Sequence, residues 1–228
     1  MNNISGKNAL ITGSSRGVGQ QIAMGLAAKG CNIILHARTA ASCHKTIEML
    51  KTYPIAVYVV FGELSDETSV HQVIDQVNAL GVEVDIVYNN AAIMTSHQSD
   101  IWQHSWEDWM QTMKTNVFAM YTICAAFVPK MAERGYGRVV NLSSGITKTP
   151  ELAPYSASKW AVIKLTEDLA AHYEDTNVRL NCLDPGWLRT DMGSQNAPNA
   201  VEAVLPGALV PALLENDGAN GKAFSALE

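Results

Sequence analysis

Short runs of apolar residues alternate along this chain with longer segments whose apolar residues recur every three or four positions. Residues 8–12 and 178–183 have the length and composition of buried strands, whereas 66–80 and 155–174 have the periodicity of amphipathic helices. Strands and helices that alternate in this way form a parallel sheet with helices on both faces, because each crossover helix packs back onto the sheet. We therefore predict an α/β fold with a doubly wound parallel sheet of about seven strands, in one domain spanning residues 1–228.

The remaining segments complete this alternation. Further strands are predicted at 32–36, 55–61, 85–88, 138–142 and 222–225, and further helices at 20–29, 105–134 and 198–214, the last despite Pro206 and Pro211. Ligands of such sheets bind beyond the carboxyl ends of the strands, where the strand order switches. We expect the functional site at four segments that follow strands: residues 12–19, 89–93, 143–145 and 184–192.

The segment Gly13–Gly19 joins the first strand to the first helix and has the sequence GSSRGVG. Strand, glycine-rich turn and helix together are the context of a dinucleotide site. Glycine lets the backbone approach a pyrophosphate, and the helix amino terminus offers free N–H groups. The spacing G-x-x-x-G-x-G differs from the more familiar G-x-G-x-x-G, and a tight turn that needs glycine only for its backbone conformation is the alternative interpretation.

Tyr155 and Lys159 stand four residues apart in a predicted helix, which places them on one face. An ammonium beside a phenol favours the phenolate, so we expect Lys159 to lower the pKa of Tyr155 from its usual value of ~10. A phenol tuned in this way can exchange a proton with an oxygen that changes charge. Such a pair also occurs on ordinary solvated helix faces, so it gains weight only from the other motifs of the chain.

The chain carries four further motifs in addition to the glycine-rich turn and the Tyr155/Lys159 pair. They are Asn89-Asn90-Ala91-Ala92, Asn116, Ser143-Ser144 and Asp184-Pro185-Gly186. With them, the chain resembles the short-chain dehydrogenase/reductase family, of the classical type, from Lys7 to about Phe224. The resemblance implies a single-domain Rossmann fold and an enzyme that transfers a hydride between a nicotinamide dinucleotide and a carbonyl or alcohol.

The resemblance also implies roles for individual residues. Tyr155 is the expected proton donor to the substrate carbonyl, and Ser144, with Ser143 as the fallback, hydrogen-bonds the same oxygen. Lys159 lowers the pKa of Tyr155 and binds the nicotinamide ribose. Asn116 anchors a water between Lys159 and solvent, unless it is an asparagine bonded to backbone inside a helix. The expected catalytic residues are Asn116, Ser144, Tyr155 and Lys159. The expected cofactor-binding residues are Gly13, Ser15, Arg16, Gly17, Val18, Gly19, Arg38, Glu63, Leu64, Asn90, Ala91, Tyr155, Lys159, Pro185, Gly186, Leu188 and Thr190.

The charge distribution favours a phosphorylated cofactor. The chain has a net charge of −6, which argues against a nucleic-acid partner, yet the segment before Glu48 carries five basic residues and no acidic one. Sites for NAD usually place an acid after the second strand, where it binds the ribose 2′-hydroxyl. Here Arg38 stands near that position and Arg16 lies in the glycine loop, so we expect two guanidinium groups to bind a 2′-phosphate and predict NADP(H). A surface charge at a helix start is the alternative for Arg16.

Three features depart from the family pattern. Ala92 stands where the family usually has glycine, and Glu63-Leu64 stands where an aspartate usually binds the adenine edge. After Thr190, only residues 191–196 precede the predicted last helix, where many relatives have a longer segment that closes over the substrate. We therefore expect an open substrate pocket with little exclusion of water from that side.

The spacing of Trp102, Trp106 and Trp109 predicts one aromatic stripe along a helix. We favour a core or subunit contact for this stripe, and an aromatic wall for the substrate is the alternative. Other apolar residues expected near the site indicate a hydrophobic ketone or aldehyde; they are Met94, Ile146, Leu152, Trp187 and Met192.

The sequence therefore predicts an NADPH-dependent oxidoreductase that reduces a ketone or aldehyde to an alcohol, with Tyr155 as acid and base. One alternative is an alcohol dehydrogenase that works mainly in the oxidative direction. Another is a non-catalytic dinucleotide-binding redox sensor, which would not need the four catalytic residues together. By resemblance alone, we expect a homodimer or homotetramer that associates through the helices containing Asn116 and Tyr155.

The composition is that of a globular protein, with 47% hydrophobic residues and a mean hydropathy of +0.01. The four cysteines are scattered without a C-x-x-C pair, so we expect reduced thiols and a cytoplasmic location. The six histidines show no metal-ligand spacing, so we expect no metal. No apolar run approaches the length of a membrane span, and the first strand begins too early to leave room for a signal peptide, so we expect no membrane partner.

Overall fold

The computed structural model describes residues 2–228 and has a seven-stranded sheet at its centre. The strands are β1 (Asn8–Ile11), β2 (Asn32–Ala37), β3 (Val57–Phe61), β4 (Ile86–Asn89), β5 (Gly137–Leu142), β6 (Val178–Asp184), β7 (Leu188–Arg189), β8 (Asn199–Ala200) and β9 (Ala223–Ser225). Seven of them form one sheet in the order β3-β2-β1-β4-β5-β6-β9, with every neighbouring pair parallel. The strand order reverses between β1 and β4, so the crevice that binds ligands in such sheets opens there.

Helices cover both faces of this sheet. They are α1 (Gly17–Ala27), α2 (His44–Leu50), α3 (Glu67–Ala79), α4 (Trp106–Met113), α5 (Ala119–Glu133) and α6 (Ala153–His172), with a π-helical turn at Lys114–Phe118 between α4 and α5. Apolar residues of α1 and α2 pack in one hydrophobic cluster, and those of α3, α5 and α6 pack in a second. The prediction of a doubly wound α/β fold is therefore confirmed.

The two clusters follow from the geometry of a strand, in which successive side chains point to opposite faces. Ile11 belongs to the cluster around α1, and its neighbour Leu10 belongs to the cluster around α3. The central strand β5 is buried along its whole length, as expected for a parallel strand with helices on both faces. In the register of the sheet, Ile11 pairs with Tyr88 and Tyr88 with Val140. The segments that follow β1, β4 and β5 therefore begin at the same edge, and this edge carries the site.

The prediction of a helix at 198–214 is wrong. This segment holds the short strand β8 followed by 3₁₀ turns at Val201–Val204 and Gly207–Leu213. Pro206 and Pro211 explain the difference, because proline has no N–H group to continue an α-helix and its ring crowds the preceding turn. The short helix α2 was not predicted, because seven residues give little periodicity to recognise.

The prediction of one tryptophan stripe is also wrong. Trp102 lies in a separate 3₁₀ turn, Ile101–Gln103, and the extended backbone of His104 separates this turn from α4, which begins at Trp106. Trp102 and Trp106 are 88% and 79% exposed, so neither belongs to the core of the chain. The preference for a core position therefore fails, and the preference for a subunit contact stays a prediction.

The four cysteines are free and buried. Within residues 2–228, no helix combines the length and the apolar character that a membrane span requires. The groups of acidic, histidine and cysteine side chains in this part of the chain include none that could hold a metal ion.

Candidate active site

The glycine-rich loop between β1 and α1 is shaped to admit an anion. Helix α1 begins after Arg16 with no side-chain hydrogen bond to its first turn and no acidic residue in that turn, so its free N–H groups are not capped by the protein. A Cβ atom at Gly19 would lie 2.5 Å from the Asn90 Nδ2 atom and 2.6 Å from the Gly13 carbonyl oxygen, so only glycine fits there. The uncapped N–H donors of this helix start suit an anion such as a pyrophosphate.

Side chains of α1 and α2 hold the carbonyl groups of this loop in place. The Thr46 hydroxyl donates to the carbonyl oxygens of Ser14 and Ser15, each at 3.1 Å, and the Gln20 Nε2 atom donates to the Thr46 Oγ1 atom at 2.8 Å. Val18 packs against the hydrophobic cluster around α1. These hydrogen bonds fix the backbone of the loop at Ser14 and Ser15.

Asn90 and Thr12 join the loop to the end of β4. The Asn90 Nδ2 atom donates to the carbonyl oxygens of Thr12, at 2.8 Å, and Gly13, at 3.1 Å. In return, the backbone N–H groups of Asn90 and Ala91 both donate to the Thr12 Oγ1 atom at 3.0 Å. Asn90 and Ala91 therefore lie at the glycine loop, and their role in binding the cofactor stays a prediction. Thr12 was missed as a contributor, although it directly precedes the first glycine.

Tyr155, Ser144 and Lys159 come together at the carboxyl end of β5. The Lys159 Nζ atom lies 5.6 Å from the centre of the Tyr155 ring and donates to the Leu142 carbonyl oxygen at 2.7 Å. The Ser144 Oγ atom accepts a hydrogen bond from the Ile146 N–H group at 3.2 Å, and the Ser144 hydroxyl lies close enough to the Tyr155 phenol to lower its pKa. Ser144, rather than the fallback Ser143, is thus the serine that reaches the phenol.

The expected direction of the Tyr155 pKa shift is wrong. Burial raises the pKa of the Tyr155 phenol, the hydrogen bond from Ser144 lowers it, and the negative charge of Asp184 raises it again. The sequence indicates the four-residue spacing of Tyr155 and Lys159 but not how deeply the phenol is buried, and here desolvation of the phenolate dominates. Tyr155 is therefore protonated at neutral pH.

Lys159 is itself strongly perturbed. It is buried, and this burial lowers the pKa of its ammonium to about 8, against smaller opposing effects of Cys182 and Asp184. An amine close to its titration point in a cleft is a common property of catalytic groups. Tyr155 and Lys159 both differ from solvated residues, and this excludes the ordinary helix-face interpretation for them.

Asn116 lies in the π-helical turn between α4 and α5, a type of turn that occurs often at functional sites. Its Oδ1 atom accepts from the Ile93 N–H group at 2.8 Å, and its Nδ2 atom donates to the Ile93 carbonyl oxygen at 2.9 Å and to the Ser158 Oγ atom at 3.0 Å. The side chain is therefore occupied in joining the segment after β4 to α6. The water role expected by resemblance stays a prediction.

The segment after β6 forms a tight turn at the same edge. The Thr190 Oγ1 atom accepts from the Gly193 N–H group at 3.0 Å, and the Trp187 Nε1 atom donates to the Gly193 carbonyl oxygen at 2.6 Å. Leu188 is buried, and β7 pairs with β8 directly after the turn. The chain thus folds back onto β7 soon after Thr190, in a two-stranded sheet separate from the central one, which agrees with the short connection in the sequence.

Asp184 was missed as a site residue, although it is the first residue of the predicted Asp-Pro-Gly motif. Its Oδ1 atom accepts from the Gly186 N–H group at 2.9 Å. A Cβ atom at Gly145 would lie 2.6 Å from the Asp184 Oδ2 atom, so glycine next to Ser144 lets this carboxylate approach the loop after β5. Asp184 therefore places a negative charge near Tyr155 and Lys159, where it raises the pKa of both groups.

The residues predicted to bind the adenosine half of the cofactor lie in different environments. Arg38 is exposed just beyond β2, whereas the Arg16 Nε atom pairs with the Asp191 Oδ2 atom at 3.1 Å across the cleft. Glu63 is exposed and its carboxylate accepts from the Ser65 N–H group at 3.1 Å. Leu64 is buried in the cluster around α3, so its side chain is turned away from solvent.

The apolar residues expected near the substrate are partly exposed. Met94 and Met192 are each 37% exposed, and Trp187 is 57% exposed. Ile146 and Leu152 are half-buried. Their position beside the substrate and the open pocket expected from the sequence stay predictions.

Comparison with known proteins gives consistent results. The family model described as short chain dehydrogenase matches residues 7–200. Gluconate 5-dehydrogenase of Gluconobacter oxydans is 33% identical over 194 residues, which are 83% of this chain and 74% of that protein. The 3-oxoacyl-[acyl-carrier-protein] reductase of Aquifex aeolicus is 31% identical over 193 residues, which are 83% of this chain and 77% of that protein. The solved 3-oxoacyl (acyl-carrier-protein) reductase of Agrobacterium tumefaciens with NADP bound superposes with a TM-score of 0.90 at 25% identity, covering 98% of this chain and 93% of that one.

Proposed function

Because the chain belongs to the short-chain dehydrogenase family of oxidoreductases, we propose that it is an NADP(H)-dependent enzyme that reduces a ketone or aldehyde to an alcohol. The observation that carries this proposal is the convergence of Tyr155, Ser144 and Lys159 at the same sheet edge as an uncapped, glycine-rich helix start. A dinucleotide-binding sensor would need the helix start alone. A phenol, a hydroxyl and a perturbed ammonium at one point are the groups that carbonyl reduction requires.

The residues present fit a nicotinamide dinucleotide. The loop Gly13–Gly19 and the start of α1 would hold the pyrophosphate, and the segment Pro185–Thr190 would hold the nicotinamide end. Lys159 would bind the nicotinamide ribose, since its ammonium has donors to spare beyond the Leu142 carbonyl oxygen. When bound, the cofactor supplies the hydride that the protein has no group to provide.

The side chains would handle the proton and the charge on the substrate oxygen. Ser144 would donate a hydrogen bond to the carbonyl oxygen and fix its position beside Tyr155. Tyr155 would give its phenolic proton to that oxygen as negative charge develops there. The raised pKa of Tyr155 supports this direction, because it keeps the phenol in the form that can donate. The positive charge of Lys159 would then stabilise the resulting phenolate, and Asn116 would anchor a water through which the proton is restored.

The preference for NADP(H) over NAD(H) rests on charge. No acidic residue follows β2 to bind a ribose 2′-hydroxyl, and Arg38 occupies this region instead. A 2′-phosphate would compete with Asp191 for Arg16, an exchange that is feasible because both partners of that ion pair are largely exposed. Arg38 is therefore the stronger candidate for recognition of the 2′-phosphate.

The test is oxidation of NADPH and of NADH, followed at 340 nm with a panel of aldehydes, diketones and aryl ketones. We expect turnover that favours NADPH and falls by ~10³-fold in Tyr155→Phe, with dinucleotide binding retained. Arg38→Gln should raise the KM for NADPH by ~10-fold and leave the KM for NADH unchanged. Lys29→Gln, at the opposite end of α1, is the matched control. Tight binding without turnover of any carbonyl would favour the sensor, and a preference for NADH would refute the role given to Arg38.

We also propose that the chain forms a homodimer or homotetramer through the π-helical turn, α5 and α6. Phe118, Tyr121 and Trp160 are 51%, 50% and 58% exposed on these elements, an unusual amount of aromatic surface to leave in water. Light scattering coupled to size-exclusion chromatography tests this directly, and a monomer at micromolar concentration would contradict it.

A further inference from the structure

A buried histidine lies behind the cofactor-binding edge of the sheet. His36 is the penultimate residue of β2 and only 2% exposed. Its side chain contacts two segments that are distant in sequence: the Gly13 N–H group lies 3.2 Å from its Nδ1 atom, and the Gly62 carbonyl oxygen lies 3.2 Å from its Nε2 atom. Gly13 opens the glycine-rich loop, and Gly62 opens the loop after β3. The imidazole thus joins the two loops that flank the expected adenosine half of the site.

These two contacts fix the state of the ring. A backbone N–H group can only donate, so the Nδ1 atom must be an unprotonated acceptor. A carbonyl oxygen can only accept, so the Nε2 atom must carry the proton. The ring is therefore neutral and in the Nε2–H form. Burial supports this state, because it lowers the pKa of His36 to about 4.

The backbone of His36 is tied to the same loop. The His36 N–H group donates to the Ser14 Oγ atom at 3.0 Å, and the Ser14 N–H group donates to the His36 carbonyl oxygen at 3.0 Å. Consecutive amides of the loop, those of Gly13 and Ser14, are thus both bonded to His36. Gly13 has φ = +64°, so the chain turns sharply at the residue whose amide the imidazole holds.

We propose that His36 is a positioning residue for the dinucleotide, which holds the glycine-rich loop in its binding conformation through the Nδ1 acceptor for the Gly13 amide. The contact to Gly62 selects the tautomer that makes this acceptor available. The inference rests on the proposed function, because it assumes that the loop binds a dinucleotide. His36 does not reach the reacting atoms at β5 and β6, so it acts on cofactor affinity and not on the chemical step.

Two substitutions separate the two contacts. In His36→Asn, the side-chain oxygen can stand in for the Nδ1 acceptor, and the contact to Gly62 is lost. In His36→Gln, the side-chain amide can reach the Gly62 carbonyl oxygen, and the acceptor for Gly13 is lost. Tyr88→Phe is the matched control, because it removes a buried hydrogen bond of 2.8 Å from the Tyr88 hydroxyl to the Ala208 carbonyl oxygen without touching either loop.

We would measure the Kd for NADPH by fluorescence titration and kcat at saturating NADPH. His36→Gln should raise the Kd by ~10-fold, the value of one well-formed hydrogen bond, while His36→Asn should stay within ~3-fold of the unaltered chain. Both variants should keep kcat, and Tyr88→Phe should lose stability without loss of affinity. Equal affinities of the Gln and Asn variants would overturn the proposal.

The unaltered chain offers a second test that requires no variant to fold. Nitrogen-15 NMR of the histidine side chains should show His36 with Nδ1 unprotonated and Nε2 protonated at pH 6, and the opposite tautomer or a charged ring would overturn the proposal. If the unaltered chain binds neither NADPH nor NADH, the proposed function itself fails. If it binds NADPH and the Gln variant binds equally well, only the role of His36 fails.

Discussion

Two cations are buried in this chain at opposite edges of the same sheet. Arg138 lies at the amino end of β5 and is 0% exposed, whereas Lys159 lies beside the carboxyl end of that strand and is 4% exposed. The Arg138 guanidinium is surrounded by acceptors: its Nε atom donates to the Leu214 carbonyl oxygen at 3.0 Å, and its Nη1 and Nη2 atoms donate to the Asn177 carbonyl oxygen at 3.0 Å and to the Asn216 Oδ1 atom at 3.2 Å.

The Lys159 ammonium has no comparable set of hydrogen-bond acceptors. Within residues 2–228, the Leu142 carbonyl oxygen is the one acceptor that its ammonium hydrogen-bonds, although an ammonium has three donors. Burial also lowers the pKa of the Arg138 guanidinium, but its donors are met by these acceptors. A buried cation with free donors costs stability, and the low pKa of Lys159 expresses this cost. This difference is the one expected if the amino edge of β5 serves the fold and the carboxyl edge binds a ligand, as proposed above.

Replacing each of the two cations by methionine should separate the two edges of β5 most clearly in enzyme activity. Lys159→Met should lower kcat by ~10³-fold, because Tyr155 loses the charge that stabilises its phenolate. Arg138→Met should keep kcat within ~2-fold, because Arg138 contacts no group of the site. Steady-state assays of both variants with NADPH and the best carbonyl of the panel give the comparison. A large loss of kcat in Arg138→Met, measured on folded protein, would contradict the assignment of the two edges.

The same two variants should differ in the opposite sense in stability. Arg138→Met leaves buried carbonyl groups without donors, so the free energy of unfolding should fall by ~3 kcal/mol. Lys159→Met removes an amine whose folded-state pKa of about 8 lies below its unfolded value of 10.5. At pH 7 this shift costs ~3 kcal/mol, part of which is offset by the lost bond to Leu142, so the variant should gain ~1–2 kcal/mol.

The pH dependence provides the check on Lys159. A lysine whose pKa is lowered by folding destabilises the fold fully below its folded pKa, and this cost disappears as pH rises toward the unfolded value. Urea denaturation at pH 7 and at pH 10 should therefore show the gain of Lys159→Met at the lower pH and little of it at the higher one. A loss of stability at pH 7 would mean that the Lys159 ammonium is better satisfied than its contacts indicate.

Much of this site was predictable from the sequence, for a physical reason. The strands are short and apolar, so their ends are marked by the first polar or glycine residues, and in a parallel sheet all carboxyl ends meet at one edge. This placed Gly13, Asn90 and Ser144 at one edge although they are far apart in sequence. The four-residue spacing of Tyr155 and Lys159 likewise follows from the geometry of one helix.

The properties that were missed depend on tertiary packing. The depth at which Tyr155 is buried decides the sign of its pKa shift, and no spacing along the chain encodes this depth. The ion pair of Arg16 with Asp191 and the contacts of His36 join segments whose approach is known only once the sheet is assembled. A polar residue at the end of an otherwise apolar strand was the available signal for His36.

The substitution Asp184→Asn tests the carboxyl edge of β5 through the smallest of the expected effects. Asp184→Asn keeps an acceptor for the Gly186 N–H group and removes the charge that raises the pKa of Tyr155. Alcohol oxidation needs the phenolate, so its rate should rise with pH along a limb set by Tyr155, and the variant should move this limb to lower pH by up to about one unit. Asp191→Asn is the control, because its carboxylate pairs with Arg16 and is not among the groups that shift Tyr155. Coincident pH–rate profiles for Asp184→Asn and the unaltered chain would show that the carboxylate does not influence the phenol, and the limb would then depend on burial and Ser144 alone.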